Sequence, residues 1–241
     1  LRKICHTPSP LGREVNLLHL TNLRNFYQNS HSTLTPHTHY ERLGESMFTN
    51  KINLALKIAA KVHQGQNRKG TDIPYISHPV AVGMIISQYT NDETTIVAGI
   101  LHDILEDVNP GIYSETDMRR DFGDEVTDIV KDVSEPKTAG QPKPLWKERK
   151  KSYLKRLGSS YYIETYFVVA ADKIHNLTDI LKDYDRFGDE IWHRFNASKW
   201  DILQYHRAVF NLIRKEPVPI ELKRHLAALI EKLGGIVAIN P

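Results

Sequence analysis

DETTIVAGILHDILED, residues 92–107, is the stretch on which the fold turns. Asp92 stands where an N-cap carboxylate would, and the spacing predicts a helix from there to about Asp107. Ile96, Val97, Ile100, Leu101, Ile104 and Leu105 give that helix an apolar setting. Inside it sit His102, Asp103, Glu106 and Asp107. Neighbouring helical residues point roughly 100° apart, so His102 and Asp103 can both meet one ion placed between their directions. Imidazole nitrogen with carboxylate oxygen suits a divalent transition metal such as Mn, Fe or Zn. Glu106 and Asp107 lie one turn beyond His102 and Asp103, where spare carboxylates can orient a water and take its proton. The bland alternative is a solvated acidic helix end with a core histidine. Burying unpaired carboxylates among these apolar residues is costly, and that favours a site.

Outward from this stretch the chain continues to read as helices. Thr49 caps a helix through Val62. Ser77 and Pro79 open another, with proline where its missing N–H costs nothing. Ser114 and Asp117 form a capping pattern for a helix that Gly123 ends, and Asp124–Val133 follows. Ser134–Pro144, with Pro136, Gly140, Pro142 and Pro144, reads as a mobile loop. Leu145–Leu157 is a basic amphipathic helix closed by Gly158. Ile163–Tyr184 is the longest helix, with Gly188 past its end. Ser198 caps a helix to Lys215, and a last one from Pro219 is expected to end at Gly234-Gly235. No strand-like alternation persists and no internal repeat is visible, so the fold class is all-α.

The 241 residues are 25% charged and 40% hydrophobic, which excludes collagen-like, disulfide-rich and wholly disordered classes. The net charge of +3 is poor evidence for nucleic acid, and no helix-turn-helix or aromatic-basic interleaving supports such a partner. No stretch suits a membrane span. The single cysteine, Cys5, forbids an intrachain disulfide and fits a reducing, cytoplasmic setting. Leu1–Ser46 differs from the rest: it holds His6, His19, His31, His37 and His39 of the 12 histidines, and only one expected helix, Arg13–Tyr27. Those histidines match no metal-site spacing. Residues 1–46 are expected to be a disordered or non-native extension, and residues 47–241 the functional domain, with its motifs in 47–183 and C-terminal helices in 184–241.

Two further places carry chemistry. His78, at the mouth of the second helix, can reach a metal, while Arg68 and Lys69 suit phosphate through a bidentate fork and a point charge respectively. Alone, that loop would read as an exposed basic turn. Asp172 and Asn176 are four residues apart on one helix face. Asp172 can complete a metal shell of His78, His102, Asp103 and Asp172, and Asn176 can hydrogen-bond a substrate one turn away. The uncharged run Tyr166–Ala171 before Asp172 places it on a buried helix, where an isolated carboxylate needs a partner.

Arg68-Lys69-Gly70, Pro74-Tyr75-Ile76-Ser77-His78-Pro79, Leu101-His102-Asp103-Ile104-Leu105-Glu106-Asp107 and Ala171-Asp172-Lys173-Ile174-His175-Asn176-Leu177 follow one another in that order. Together they resemble the HD-domain phosphohydrolases, and specifically the small, hydrolase-only branch of the RelA/SpoT-homologue alarmone hydrolases, from about Met47 to about Asp183. A bare His-Asp pair is weak; these blocks in this order are highly specific. The resemblance implies an HD-type helical bundle. It implies Mn²⁺ held by His78, His102, Asp103 and Asp172, with Glu106 and Asp107 as the catalytic acids that position and activate water. It implies that Arg68, Lys69 and Asn176 bind a small nucleotide. The implied reaction removes the 3′-pyrophosphate of (p)ppGpp to give GDP or GTP and pyrophosphate.

Thr178 departs from the family, which often has arginine there. Lys137, Lys143, Lys147, Arg149, Lys150 and Lys151 read as solvating their loop and helix in preference to holding phosphate. His63 reads as a supporting histidine, and His175 as structural because it lies on a different helix face from Asn176. Two alternatives remain open: the same fold acting on another nucleotide such as NADPH or (p)ppApp, and an inert nucleotide-binding homologue.

Overall fold

The computed structural model describes residues 48–135 and 145–239. Leu1–Ser46, with the expected helix Arg13–Tyr27, lies outside the described residues, as do Pro136–Pro144 of the expected loop. The described chain forms helices α1 (Asn50–Val62), α2 (Ser77–Ile86), α3 (Glu93–Leu101), α4 (Ile104–Asp107), α5 (Glu115–Phe122), α6 (Asp124–Val133), α7 (Trp146–Leu157), α8 (Ile163–Phe187), α9 (Lys199–Ile213) and α10 (Ile220–Ile239). A 3-10 helix spans Gly188–Arg194. There is no β-strand among the described residues, so the all-α expectation holds; Asn67 and Pro74 make an isolated bridge.

Side-chain caps set four of the described helix starts. The Thr49 hydroxyl accepts from the Ile52 amide at 3.2 Å, and the Asp92 carboxylate accepts from the Thr95 amide at 2.7 Å. Ser114 and Asp117 form a reciprocal capping box, and Ser198 caps α9. Each such cap contributes about 1 kcal/mol by satisfying amides that the helix leaves unpaired.

α8 runs through the middle of the fold. Its buried residues include Val168, Val169, Ala170, Ala171, Ile174 and Leu177, and it packs against α2, α3, α6 and α10. α2 and α3 cross closely, and a glycine on each makes room. A Cβ on Gly83 would sit 2.7 Å from Ile100 Cγ1, and one on Gly99 would sit 2.3 Å from Ile86 Cδ1. No helix among the described residues is long and apolar enough to cross a membrane.

Three expectations need correction. The helix expected from Asp92 to Asp107 is interrupted at His102-Asp103, where α3 stops and α4 begins. Asp103 adopts φ −91° and ψ −8°, at the edge of the right-handed helical region. The His102 ring takes the Gly99 carbonyl at 2.8 Å, the acceptor that a continuous helix offers to the amide of residue 103. The last helix does not end at Gly234-Gly235 but continues to Ile239. Leu233 and Val237 are buried on either side of the pair, and such packing outweighs the roughly 1 kcal/mol per residue that glycine costs a helix. Finally, α8 extends past Tyr184 to Phe187, where Gly188 closes it at φ +59°.

The 3-10 helix had no counterpart in the sequence reading, yet it seats the Arg68–Gly70 loop. Ile191 is buried, and Arg194 pairs with Asp183. The Arg194 side chain packs 3.0 Å from where a Cβ on Gly70 would stand, and Gly70 has φ +75°. Gly70 turns the loop in which the Arg68 amide donates to the Ile73 carbonyl at 2.8 Å and the Tyr75 amide to the Gln66 carbonyl at 2.9 Å. That short pairing fixes Arg68 and Tyr75 at the entrance to α2.

Candidate active site

His78 is the second residue of α2 and is almost wholly buried. Its Nε2 lies 3.4 Å from Asp103 Oδ2 and 3.3 Å from Asp172 Oδ1. His102 Nδ1 donates to the Gly99 carbonyl, so Nε2 is the ring nitrogen left to face the carboxylates and, once deprotonated, to ligate. That Nε2 is buried without a hydrogen-bond partner, 3.0 Å from Asp103 Oδ2 and 3.9 Å from Asp172 Oδ1. His78, His102 and Asp103 each offer an atom within 4.8 Å of the others. Asp172 approaches both imidazoles from α8 but stands outside that tightest group. The break after α3 turns the Asp103 carboxylate back toward the two rings. An orphaned buried imidazole nitrogen facing carboxylates fits a divalent cation.

Charge supports the same fit. Burial opposes ionisation of Asp103, yet His102 and His78 hold it well below the usual carboxylate range. Burial likewise opposes the charge on Asp172, and Lys173 and the two imidazoles outweigh it. Burial lowers His102, but Asp103 and then Asp172 drive it up to about 9. A buried centre with two carboxylates calls for positive charge among its nitrogens. His175, expected to be structural on another face, puts its Nδ1 2.9 Å from His78 Nδ1. Burial and the neighbouring His78 push His175 down to about 4, so it is neutral at pH 7 and can accept the His78 Nδ1 proton. His78 Nε2 is then free to ligate.

The two further acids differ in setting. Burial pushes Glu106 up to about 7; the Glu135 amide, donating to Glu106 Oε2 at 2.9 Å, opposes this, and the carboxylates of Glu135, Asp103 and Asp107 add to it. Asp107 is also raised, by burial and by Asp103. Tyr75 was given no role from the sequence, and it ties the two rows together. Its hydroxyl lies 2.6 Å from Asp103 Oδ2 and 3.0 Å from Asp107 Oδ2. A phenol has one proton to donate, so the two carboxylates share the Tyr75 hydroxyl as donor. His63 stays out of the ligand group, stacked on Tyr75 at 4.9 Å and bonded to Gln66 at 2.8 Å.

Arg68 and Asn176 meet at the mouth of the site. Arg68 Nη2 donates to Asn176 Oδ1 at 2.9 Å and to Asp179 Oδ2 at 3.1 Å, and Asn176 Nδ2 donates to Asp172 Oδ1. Both line a cavity of about 230 Å³ with His78, His102, Glu106 and Asp107. Lys69 is not brought to that cavity. It lines an adjoining groove of about 590 Å³, which shares Arg68, Tyr75 and Asn176 with the first.

The expected solvating role of the α7 cations holds only in part. Lys147 and Lys151 are exposed, and Lys137 and Lys143 lie outside the described residues. Arg149 and Lys150 turn inward and both pair with the buried Glu135 carboxylate. Lys150 lines the 230 Å³ cavity beside Lys173, and it lies 4.7 Å from the Tyr205 ring centroid. Lys173 pairs with Asp172 and lies 5.7 Å from the centre of Tyr153 and 5.5 Å from that of Tyr205. A lysine inside the buried run of α8 was the available signal; Lys150 and Glu135 had none, because their convergence is tertiary. Thr178 bonds the Ile174 carbonyl at 2.7 Å and makes no contact with the site.

Residues 55–203 match the HD domain family. Among curated relatives, the chain is 34% identical over 154 residues to a GTP pyrophosphokinase of Myxococcus xanthus, covering 63% of this chain and 19% of that protein. It is 29% identical over 126 residues to a guanosine-3′,5′-bis(diphosphate) 3′-pyrophosphohydrolase of Borreliella burgdorferi, covering 52% and 18%. The chain spans about a tenth of the Streptomyces coelicolor GTP pyrophosphokinase, to which it is 43% identical over 90 residues, 37% of its own length. Among solved structures, a metazoan ortholog of SpoT that hydrolyzes ppGpp superposes with TM-score 0.63 at 23% identity, over 79% of this chain and 99% of that one. A Listeria monocytogenes protein superposes with TM-score 0.54 at 27% identity, over 65% and 97%.

Proposed function

The chain belongs to the HD domain family, and from that premise we propose that it is a Mn²⁺-dependent phosphohydrolase that removes the 3′-pyrophosphate of (p)ppGpp. The observation that carries this reading is the approach of His78, His102 and Asp103 within 4.8 Å, with His102 Nε2 buried and unpartnered, beside two carboxyls of raised pKa. In this reading Asp172 completes the ligand set. The metal, when bound, supplies Lewis-acid charge neutralisation and a stronger nucleophile at neutral pH. The substrate class follows relatives that bear the name of this reaction, among them the Borreliella burgdorferi pyrophosphohydrolase.

The chain's own residues then divide the work. Glu106, near pH 7 in its affinity for a proton, takes one from the attacking water, and Asp107 with Tyr75 orients that water. The water oxygen bonds to the phosphorus next to the ribose, the P–O3′ bond breaks, and the 3′ oxygen collects a proton. Arg68 and Asn176 hold the nucleotide, with Lys69 reaching it from the adjoining groove. Lys150 and Lys173 face the cavity where the departing pyrophosphate needs positive charge. Residues 47–241 form the hydrolytic unit in this proposal.

The test is a nucleotide panel on purified protein with Mn²⁺: ppGpp, pppGpp, (p)ppApp and NADPH, each followed by release of pyrophosphate or phosphate. Pyrophosphate from ppGpp is expected, with kcat reduced about 10²–10⁴-fold in Glu106→Gln. No pyrophosphate from ppGpp would overturn the substrate assignment. Full activity in Glu106→Gln combined with Asp107→Asn would overturn the roles of both acids.

A further inference from the structure

Glu135 is a buried carboxylate whose side chain has no part in the proposed chemistry. It lies two residues past the end of α6 and touches two other elements at once. Its amide donates to Glu106 Oε2 in α4 at 2.9 Å. Its side chain meets α7, where the two oxygens are divided: Oε2 accepts from Arg149 Nη1, and Oε1 accepts from Lys150 Nζ at 2.5 Å. An arginine fork could satisfy both oxygens by itself. Here one oxygen goes instead to a lysine that lines the metal-site cavity. Burial opposes the charge on Glu135, and Lys150 and then Arg149 outweigh it, so the carboxylate stays ionised. An ammonium has three N–H donors, and Glu135 takes one from Lys150. The others serve the rings of Tyr205, 4.7 Å away, and Tyr153, 6.0 Å away, and any anion that enters the cavity. A lysine stem is flexible, so a loose ammonium has to be ordered when the anion arrives, whereas one already held is preorganised.

We propose that Glu135 is a positioning residue: its carboxylate fixes the Lys150 ammonium where the pyrophosphate group binds, while its amide holds Glu106 at a set separation from that charge. The identity of the anion rests on the hydrolase reading; the coupling of Glu135 to Lys150 does not. Every side-chain variant keeps the amide, so substitution at Glu135 reports on the carboxylate.

The test is a double-mutant cycle of Glu135→Gln with Lys150→Met in the full chain. Two quantities are read: the affinity for inorganic pyrophosphate by calorimetry, with Mn²⁺ in excess over both, and kcat/KM for ppGpp. Wild type is expected to bind pyrophosphate saturably, and Glu135→Gln should weaken that binding and lower kcat/KM about tenfold. Lys150→Met should do at least as much. Adding Glu135→Gln to Lys150→Met should then change either quantity by less than about twofold, because the carboxylate has no ammonium left to hold. Glu135→Asp keeps the charge one methylene back and should fall between wild type and Glu135→Gln, which keeps the test decisive if the glutamine variant folds poorly. A carboxylate that only stabilised the fold would lower both backgrounds by the same factor. That equality, undiminished binding in Glu135→Gln, or no saturable pyrophosphate binding to wild type would overturn the proposal. The expected cycle with pyrophosphate but no hydrolysis of ppGpp would sustain the role of Glu135 and overturn the substrate assignment. Hydrolysis of ppGpp with equal losses in both backgrounds would do the reverse.

Discussion

Gly99→Ala tests the close crossing that brings His78 and His102 together. The new methyl would stand 2.3 Å from Ile86 Cδ1, where ordinary contact begins at 3.4 Å. Ile86 is 1% exposed, so its δ-methyl has no solvent to retreat into. Overpacking of this kind costs about 1–3 kcal/mol, and a shortfall this large belongs at the upper end. Alanine recovers about 1 kcal/mol of helix propensity over glycine, leaving a net loss of about 2 kcal/mol. For a domain of this size that lowers the melting temperature by about 4–8 °C. Ile86→Val removes Cδ1 and by itself costs about 0.5–1.5 kcal/mol. With Cδ1 gone, the nearest remaining atoms to the alanine methyl are Val82 Cγ1 at 3.5 Å and the Cγ1 of residue 86 at 3.7 Å, both ordinary contacts. Urea unfolding of both single variants and the double variant should therefore give a coupling of about 3 kcal/mol, the whole of the relieved overpacking, because the propensity gain is common to both backgrounds. Additivity within about 0.5 kcal/mol would refute the steric account. Because the Gly99 carbonyl also fixes His102 Nδ1, loss of Mn²⁺ affinity should accompany the single variant and recede in the double.

Further outcomes follow from the buried histidines and the Tyr75 bridge. His206 is pushed down to about 4, by burial first and then by Lys173 and Lys150, against the pull of the Ile202 carbonyl. The unfolded chain, with histidine near 6.5, then binds the extra proton between those values, so stability is full above pH 6.5 and falls as pH drops toward 4. Linkage makes that loss about 3 kcal/mol, and urea midpoints from neutral to acid pH should fall less steeply in His206→Gln; equal slopes would contradict it. Tyr75→Phe removes a hydroxyl 2.6 Å from Asp103 and 3.0 Å from Asp107, and Mn²⁺ affinity by calorimetry should drop about 10–100-fold. An unchanged affinity would mean that the hydroxyl does not orient the ligand. Mn²⁺ at about 100 times its dissociation constant should stabilise the fold by about 2.7 kcal/mol, reversibly with chelator. The same shift in His102→Ala would place the ion elsewhere.

Much of this was legible in one dimension because the signals are local. Thr49, Asp92, Ser114 and Ser198 cap helices through hydrogen bonds that span three residues. His78, His102 and Asp103 could be paired with metal chemistry because their residue types have few other uses in a buried apolar setting. Asp172 was read as a fourth ligand for the same reason; it lies near both imidazoles but outside the tightest group. The misreadings have tertiary causes. Gly234-Gly235 carries a local stop signal, but α10 packs against α8 and α9 and continues through it. Lys150 and Arg149 look like the solvated side of a basic helix until Glu135 appears opposite them. His175 does leave the Asn176 face, yet that other face meets His78.

The amino-acid sequence alone determined the helical class, most helix starts and three of the candidate metal ligands, His78, His102 and Asp103, that the fold brings together. Apolar patterning and capping act over a few residues, and imidazole and carboxylate chemistry travels with the side chain. Only the tertiary structure decided how those groups are poised. It broke the helix at His102-Asp103 by giving the Gly99 carbonyl to an imidazole, and it laid Tyr75 across Asp103 and Asp107. It also set Lys150, Lys173 and Glu135 around one cavity and buried two nitrogens of Arg156 without a hydrogen-bond partner among the described residues. Burial, proton affinity and hydrogen-bond pairing are properties of side chains distant in sequence, and they take their values only once the helices have packed.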